Sequence, residues 1–319
     1  MKNQLINGIH HVTALGDDAQ KNVDFYSGIL GLRMVKKTVN FDAPDVYHLY
    51  YGNETGSPGT IMTFFPFQGM MKGRHGKGQM TATSFSVPDT SLDYWLKRLK
   101  KFNIQHKDPQ QRFDDELFIY FEDVHGLGLE LVFNKEDKRP GFTYGQIPIE
   151  HAVKGFHGVT LAEEGYERTA ALLLQGMDHQ LLKEKGNRFR LSASGVAGDF
   201  VDIVNTPESD RGLGGSGTIH HLAFATTDDN SQLEVREKLL SKGYNVTPVL
   251  DRQYFHSIYF REPGGILFEV ATNPPGFAID EHPAHLGEAL KLPPWQEASR
   301  TTIEKGLQPI KVNTDKFMD

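Results

Sequence analysis

The sequence predicts an α+β fold in which four βαβββ units form two paired half-barrels, followed by a C-terminal helical tail. The first observation is a repeat, because NGIHHVTALGDD at residues 7–18 and GTIHHLAFATTDD at residues 217–229 are nearly the same. The second is that four segments each open with a short strand, continue into an amphipathic helix and close with three strands. Gly, Asn, Asp and Pro, which favour turns, separate the strands.

The first unit is predicted over residues 7–66. Its opening strand is HHVTAL, and the helix that follows is expected to be capped by Asp17 or Asp18 and ended by Gly31. The strands RMVKKTV, VYHLYYG and GTIMTFF complete the unit.

The second unit, residues 79–134, has the clearest helix. Pro88 and Asp89 start it, and its closing strands are LFIYFED and GLELVF. Its apolar residues recur at the spacing of a buried helical face: Leu92, Trp95, Leu96 and Leu99.

The third and fourth units are predicted over residues 151–205 and 217–272. The third opens with KGFHGVTL, has its helix around 166–174, and closes with DFVDIVN. The fourth opens with GTIHHLAFA, has its helix at 233–240 before Gly243, and ends with SIYFREPGGILFEVAT. The expected domains are therefore residues 1–140 and 141–272, with two units in each, and a tail, 273–319, that packs on the barrels.

Composition narrows the function classes. The 319 residues carry a net charge of −7, and no basic run is long enough to follow a phosphate backbone, so neither nucleic acid nor an anionic membrane is expected as a partner. Cysteine is absent, which excludes disulfides, thiolate metal sites and cysteine nucleophiles. There is no signal-peptide pattern and no apolar run of membrane-spanning length, so a soluble, cytoplasmic protein is expected.

The segment GLGGSG, residues 212–217, matches the dinucleotide-binding pattern G-x-G-x-x-G. That pattern needs a preceding strand and a following helix. Here it follows the polar segment NTPESDR and precedes a strand. It is interpreted as a linker between units.

Aligning the units predicts a metal site. Two positions are compared, the second histidine of the opening strand and one residue in the middle of the last strand. They are His11 and Phe64 in the first unit, and His221 and Glu269 in the fourth. An ionised carboxylate in the apolar strand GGILFEVAT is costly unless it is paired or bound to metal. If the first and fourth units pair, His11, His221 and Glu269 meet at one point. Two imidazoles and one carboxylate form the facial triad that binds iron(II) or manganese(II).

Simpler interpretations remain open at this stage. A strand His-His pair is more often a hydrogen-bonded or half-exposed pair, and a single strand glutamate often faces outward. Asp202, at the position of Glu269 in the third unit, is interpreted as structural because Gly158 replaces the histidine. His48 and His157 are expected to be core or surface residues.

The motifs GIHHVT, YHLYYGNETGSPGTIMTFFPF, IEHAVKGFHG, TIHHLAFA and PGGILFEVAT, in this order, resemble the vicinal oxygen chelate superfamily. Within it, the sequence resembles the hydroquinone-type ring-cleaving dioxygenases, which include dichlorohydroquinone 1,2-dioxygenase and enzymes linked to methylhydroquinone resistance. The resemblance covers nearly the whole chain, tail included.

The resemblance implies a set of site residues. The metal ligands would be His11, His221 and Glu269, holding iron(II) with manganese(II) as the alternative. Further acid, base or hydrogen-bonding residues would be His10, Tyr259, His220 and Arg252. The substrate would be a hydroquinone or catechol with O2, and the oligomeric state, including a homo-oligomer, is left open.

Two other functions compete with ring cleavage. A glyoxalase-type isomerase or transferase on the same architecture would use a second metal-binding carboxylate, which Phe64 does not supply. A metal-free protein that sequesters an aromatic drug would have no need of two histidines and a glutamate in register.

Overall fold

The computed structural model describes residues 4–319 and confirms the α+β fold with four βαβββ units. The strands and helix of the first unit are β1 (Ile9–Gly16), α1 (Ala19–Val23), β2 (Arg33–Asn40), β3 (Ala43–Gly52) and β4 (Ile61–Pro66). Those of the second unit are β5 (Gln79–Val87), α2 (Leu92–Lys101), β6 (Gln110–Arg112), β7 (Glu116–Glu122) and β8 (Gly128–Phe133).

The third and fourth units repeat this order. The third contains β9 (Gly155–Glu163), α3 (Glu167–Gly176), β10 (Gln180–Lys185), β11 (Arg188–Ser192) and β12 (Phe200–Asn205). The fourth contains β13 (Thr218–Thr226), α4 (Asp229–Ser241), β14 (Leu250–Asp251), β15 (Phe255–Arg261) and β16 (Leu267–Pro275).

Short helices complete the secondary structure. A π-helical segment, Asp24–Ile29, extends α1, and α5 (Arg300–Gly306) lies in the tail. The 3₁₀ turns are Asp89–Ser91, Ile149–His151, Phe277–Ile279, Pro283–His285, Glu297–Ser299 and Thr314–Phe317. No helix within residues 4–319 combines the length and apolar character needed to cross a membrane.

The strands form two eight-stranded sheets, and each sheet joins one unit from each half of the chain. The first sheet has the order β14-β15-β16-β13-β1-β4-β3-β2 and combines the first and fourth units. The second has the order β10-β11-β12-β9-β5-β8-β7-β6 and combines the second and third units. The antiparallel pairs β1–β13 and β5–β9 make the two junctions. The division into domains at residue 140 stays a prediction, but neither sheet is confined to one side of it.

Helix ends follow the local chemistry that the sequence indicates. The side chain of Asp18 accepts a hydrogen bond from the backbone N–H of Lys21 and caps α1. In α2, Trp95 and Leu99 are buried, as the helical spacing predicts. Arg98 on the same helix is also buried, and its guanidinium donates to the carbonyls of Ile29 and Gly28 in the neighbouring unit.

The GLGGSG segment pairs with another linker, as expected of a connection between units. Arg74 and Leu213 form an antiparallel bridge, and Lys72 bridges to Ser216. The linker between the first two units and the linker before the fourth unit therefore run side by side.

The tail packs on the first sheet and on helix α2 of the second unit. Lys36 on β2 is fully buried and its ammonium pairs with Asp280, at 2.6 Å, and with Glu281. At the far end, Asp319 accepts from buried Arg98 at 2.6 Å. A buried lysine needs such partners because an unpaired charge in the interior is costly.

Two buried carboxyl groups meet where the third and fourth units touch. Glu163 ends β9, and Glu262 lies in the turn after β15; both are 2% exposed. Glu262 accepts hydrogen bonds from the hydroxyl of Thr169 and the backbone N–H groups of Gly264 and Ile266. Burial, and then the charge of Glu262, raise the pKa of Glu163 to about 8.

This carboxyl pair predicts a pH dependence of stability. A glutamate in the unfolded chain ionises near pH 4.3, so the stability that protonated Glu163 contributes is present below that pH and is lost as pH rises through about 8. At pH 8.5 the free energy of unfolding of Glu163→Gln is expected to exceed that of wild type by at least about 1 kcal/mol, so the variant unfolds at a higher urea concentration. At pH 5 the two proteins should differ little. Urea titrations at both pH values measure this. Glu164→Gln, at the adjacent exposed glutamate, is the control, and an equal effect of both variants would contradict the prediction.

Candidate metal centre

Three polar side chains meet at the centre of the first sheet. The junction of β1 and β13 brings together His11 and His221, and the parallel neighbour β16 contributes Glu269 beside Ala223. The two Nε2 atoms lie 3.1 Å apart. Oε2 of Glu269 is 3.0 Å from Nε2 of His221 and 3.4 Å from Nε2 of His11. All three side chains are buried.

This arrangement fits a divalent cation. Donor atoms that share one cation at about 2.1 Å and at right angles lie about 3.0 Å apart, close to the separations here. Oε2 of Glu269 is buried without a hydrogen-bond partner among the described residues, whereas Oε1 accepts from the hydroxyl of Ser257 at 2.5 Å. A buried carboxylate oxygen left free in this way is the donor that a metal would use.

The electrostatics of the cluster favour the charge states of metal ligands. Although burial acts in the opposite direction, His11 and His221 hold the pKa of Glu269 well below its ordinary value, so the carboxylate is ionised. Burial lowers the pKa of His221, so its imidazole is neutral near pH 7. Metal ligands need an ionised carboxylate and neutral imidazoles.

The first histidine of each pair contacts the second. Nδ1 of His10 lies 2.9 Å from Nδ1 of His11, and Nδ1 of His220 lies 2.7 Å from Nδ1 of His221. When the second histidine donates its Nδ1 proton to the first, its Nε2 lone pair faces the cluster. Partners of this kind set the tautomer and orientation of ligand imidazoles.

Two β-bulges make these contacts possible. The register of β1 against β13 skips His10 between Ile9 and His11, and skips His220 between Ile219 and His221. Strand alternation alone would turn adjacent histidines to opposite faces, and a bulge changes that direction. Burial, and then His11, lower the pKa of His10 to about 3, while partial burial and His221 lower that of His220 to about 4.

Tyr259 and Arg252 form one wall of the cavity beside the cluster. Tyr259 on β15 lies opposite Glu269, and its hydroxyl accepts from Nε of Arg252 at 3.3 Å. Burial and the charge of Glu269 raise the pKa of Tyr259, so the phenol keeps its proton at neutral pH. Tyr259 and Arg252, two of the four further residues that the resemblance implied, are therefore part of the cavity wall.

The cavity has a volume of about 450 Å³ and suits one small aromatic ring. Its walls combine His11, His221, Arg252 and Tyr259 with apolar and aromatic side chains and a few polar groups. These include Leu15, Phe41, His48, Tyr50, Phe65, Phe67, Thr247, Leu250, Phe255 and Leu267. His10 lies outside this wall, behind His11. His220 is part of it.

His48 is the cavity residue that the sequence interpretation missed. It is buried, in agreement with one of the two expectations, and it also lines the cavity, where it bonds the hydroxyls of Tyr50 and Thr63. Burial, and then the neighbouring imidazoles of His11 and His221, lower the pKa of His48 well below the ordinary value. The strand VYHLYYG contained the available signal, since His48 and Tyr50 are two residues apart and share one strand face.

The register corrects the alignment of the last strands by one residue. Thr13, two residues after His11, lies opposite Thr63, just as Ala223, two residues after His221, lies opposite Glu269. The residue equivalent to Glu269 is therefore Thr63 and not Phe64. It is a hydroxyl side chain and not a carboxylate, so the argument against a second metal-binding carboxylate at this position still holds.

In the second sheet, ion pairs occupy the equivalent place. Asp202 and Glu130 hold the strand positions of Glu269 and Thr63, but Gly158 and Ala82 replace the two histidines. The second unit thus has Ala82 and Glu130 at the compared positions.

Arginine guanidiniums supply the positive charge in this second cluster. Arg190 donates to both carboxylate oxygens of Asp202, at 2.7 and 2.9 Å, and also pairs with Glu116. Arg112 pairs with Glu130 at 2.7 Å, and His157 contacts Glu116 at 2.7 Å. Asp202 thus has the structural partners that its interpretation as structural requires. A larger concavity of about 930 Å³ opens above it, but its buried charges are already paired with one another.

Comparison with known protein families gives one match over both halves of the chain. The Glyoxalase/Bleomycin resistance protein/Dioxygenase superfamily profile matches residues 8–131 and 155–270. These ranges cover nearly all of the four units and contain the three clustered side chains.

Individual relatives are also similar over nearly their full length. The chain is 48% identical over 305 residues to "Putative ring-cleaving dioxygenase MhqO" of Bacillus subtilis (strain 168), covering 96% of this chain and 97% of the relative. It is 33% identical to the chlorohydroquinone/hydroquinone 1,2-dioxygenase of Sphingobium indicum, covering 93% and 95%.

Solved structures agree with the fold. The crystal structure of a "putative dioxygenase" from Bacillus subtilis subsp. subtilis str. 168 superposes with a TM-score of 0.93 at 47% identity, covering 98% of this chain and 99% of that one. Glyoxalase I from Zea mays superposes with a TM-score of 0.63 at 14% identity, covering 86% and 96%. The second likeness shows the fold alone.

Proposed function

The chain belongs to the Glyoxalase/Bleomycin resistance protein/Dioxygenase superfamily, and from this premise we propose that it opens a hydroquinone ring with O2. The relatives named as ring-cleaving and hydroquinone dioxygenases, at 33–48% identity, support the reaction class. The single observation that carries the proposal is the convergence of His11, His221 and Glu269 beside a cavity of about 450 Å³.

We infer that these three residues hold iron(II), with manganese(II) as the second candidate. Two imidazoles and one carboxylate leave coordination positions open, which distinguishes this ligand set from a closed structural site. Iron(II) bound there would supply a redox-active centre at which a substrate phenolate and O2 bind next to each other. Ser257 orients Glu269 through Oε1, and His10 and His220 orient the two imidazoles.

The remaining polar groups have separate roles in donating protons and hydrogen bonds. Tyr259 keeps its proton at neutral pH and is placed to donate it, while Arg252 holds the phenol oxygen in position. His220 is part of the cavity wall, and because its Nδ1 accepts from His221, its own proton lies on Nε2, where it is the candidate hydrogen-bond donor to a substrate oxygen. His10 does not face the cavity, so we assign it a positioning role behind His11. The apolar and aromatic side chains of the walls exclude water from the ring.

Oxygen uptake tests this function. Protein loaded anaerobically with iron(II) is mixed with air-saturated buffer and hydroquinone, methylhydroquinone or catechol, and O2 consumption and ring absorbance are followed. We expect uptake with at least one hydroquinone and a parallel loss of ring absorbance. The glutathione adduct of methylglyoxal tests the glyoxalase-type alternative. No uptake with any hydroquinone or catechol, in protein shown to hold iron, would overturn the proposal.

A further inference from the structure

We propose that the His48–Tyr50 pair binds the second hydroxyl of the substrate, the one farther from the metal, and so selects hydroquinones. This inference rests on the proposed function and names a specificity determinant for the same cavity. It concerns the wall opposite Tyr259, to which neither the sequence nor the resemblance assigned a role.

The strand order puts His48 and Tyr259 on opposite walls. Glu269, His221 and His11 lie on the three central strands β16, β13 and β1. Tyr259 is one strand beyond Glu269 on β15, and His48 is two strands beyond His11 on β3. Because the sheet is curled and all these residues except fully buried Glu269 line one cavity, a ring beside the cluster lies between the two walls.

The pair retains hydrogen-bonding capacity for a ligand. Nδ1 of His48 lies 2.8 Å from the hydroxyl of Tyr50, and Nε2 lies 3.0 Å from the hydroxyl of Thr63. Thr63 also bonds Thr13 at 2.8 Å, so its hydroxyl has two partners. The hydroxyl of Tyr50 has His48 as its hydrogen-bond partner among the described residues, and a phenol oxygen can make more than one such bond.

The chain of these groups can serve a ligand that either donates or accepts. Hydroxyl groups stand at both ends of the neutral imidazole, so the proton order from Thr13 through Thr63 and His48 to Tyr50 can run in either direction. Tyr50 can therefore donate to a substrate oxygen in one order and accept from a substrate hydroxyl in the other.

The surroundings make this polar pair selective. Tyr50 is 1% exposed and packs against Tyr254 and Phe277, and the ring of His48 lies 4.3 Å from that of Phe65. A polar group in such an apolar wall loses free energy when a ligand covers it without a matching hydroxyl. A para hydroxyl reaches the wall opposite the metal-bound oxygen, whereas the second oxygen of a catechol stays beside the first.

A binding cycle tests the pair. The affinities of hydroquinone, phenol and catechol are measured by calorimetry without O2 on iron(II)-loaded wild type, Tyr50→Phe and His48→Phe. We expect wild type to bind hydroquinone about five- to tenfold more tightly than phenol, and both variants to bring this ratio close to one. Affinity for phenol and catechol should not fall, because the variants remove a polar group that these ligands leave without a partner. In steady-state assays, KM for hydroquinone should rise more than kcat falls.

Tyr254→Phe is the matched control. Tyr254 belongs to the same buried cluster as Tyr50, but its hydroxyl donates to Asp280 in the tail. It should keep the wild-type ratio. An unchanged ratio in Tyr50→Phe, in protein that still consumes O2 with hydroquinone, would overturn this inference and leave the proposed function standing. Iron-loaded wild type that consumes no O2 with any hydroquinone or catechol would overturn both.

Discussion

Glu269→Gln is expected to abolish stoichiometric metal binding and, with it, ring cleavage. The substitution removes the negative charge and the free Oε2 atom that lies 3.0 and 3.4 Å from the two imidazole nitrogens. Residues that only orient metal ligands change metal affinity by about 10- to 100-fold, so loss of a ligand should exceed about 100-fold. Metal analysis after dialysis against iron(II), together with O2 uptake, measures both effects.

Thermal unfolding gives a readout independent of activity. Metal bound only to the folded chain raises the unfolding temperature, so a chelator should lower it in wild type and leave it unchanged in Glu269→Gln. The matched control is Asp202→Asn, because Asp202 holds the same strand position in the second sheet. This variant should keep one metal per chain. Stoichiometric iron in Glu269→Gln would mean that the ligand assignment is wrong.

Replacing Arg190 by leucine is expected to lower the free energy of unfolding by about 3–5 kcal/mol, the cost of breaking a buried ion pair. Arg190 is 3% exposed and neutralises two buried carboxylates, Glu116 and Asp202. Burial alone would raise the pKa of Asp202, but Arg190 holds it below its ordinary value, and the variant removes that stabilisation. Urea unfolding at pH 7 measures the change.

The control for this prediction is Lys183→Ala, at an exposed lysine that pairs with Asp115 in the same concavity. Exposed pairs contribute about 0–1 kcal/mol, so this variant should unfold almost as wild type does. Iron binding by folded Arg190→Leu protein should be unchanged, since the histidine cluster lies in the other sheet. A loss below about 1 kcal/mol in Arg190→Leu would show that the carboxylates find other partners.

Much of the fold and of the candidate site could be predicted because the information was local or repeated. Strand and helix periodicity predicted the four units, and the doubled IHH motif with a glutamate in an apolar strand predicted His11, His221 and Glu269 as a group. Phe64 was aligned with Glu269, although Thr63 is the equivalent residue. The error of one residue arose because an apolar strand such as GTIMTFF does not show which of its residues faces the neighbouring strand. The cavity position of His48 was missed because its spacing to Tyr50 puts both on one strand face but does not show whether that face lines a cavity.

The sequence by itself determined the order of elements, the groups able to hold a metal and the absence of cysteine chemistry, since these depend on residue type and spacing. Only the tertiary structure decided that the first unit pairs with the fourth, that bulges at His10 and His220 turn adjacent histidines together, and that His48 opposes Tyr259. The physical reason is that backbone hydrogen bonds between strands are nearly independent of sequence. Register and bulges are therefore selected by packing between segments far apart in the chain, and a shift of one residue reverses every side chain.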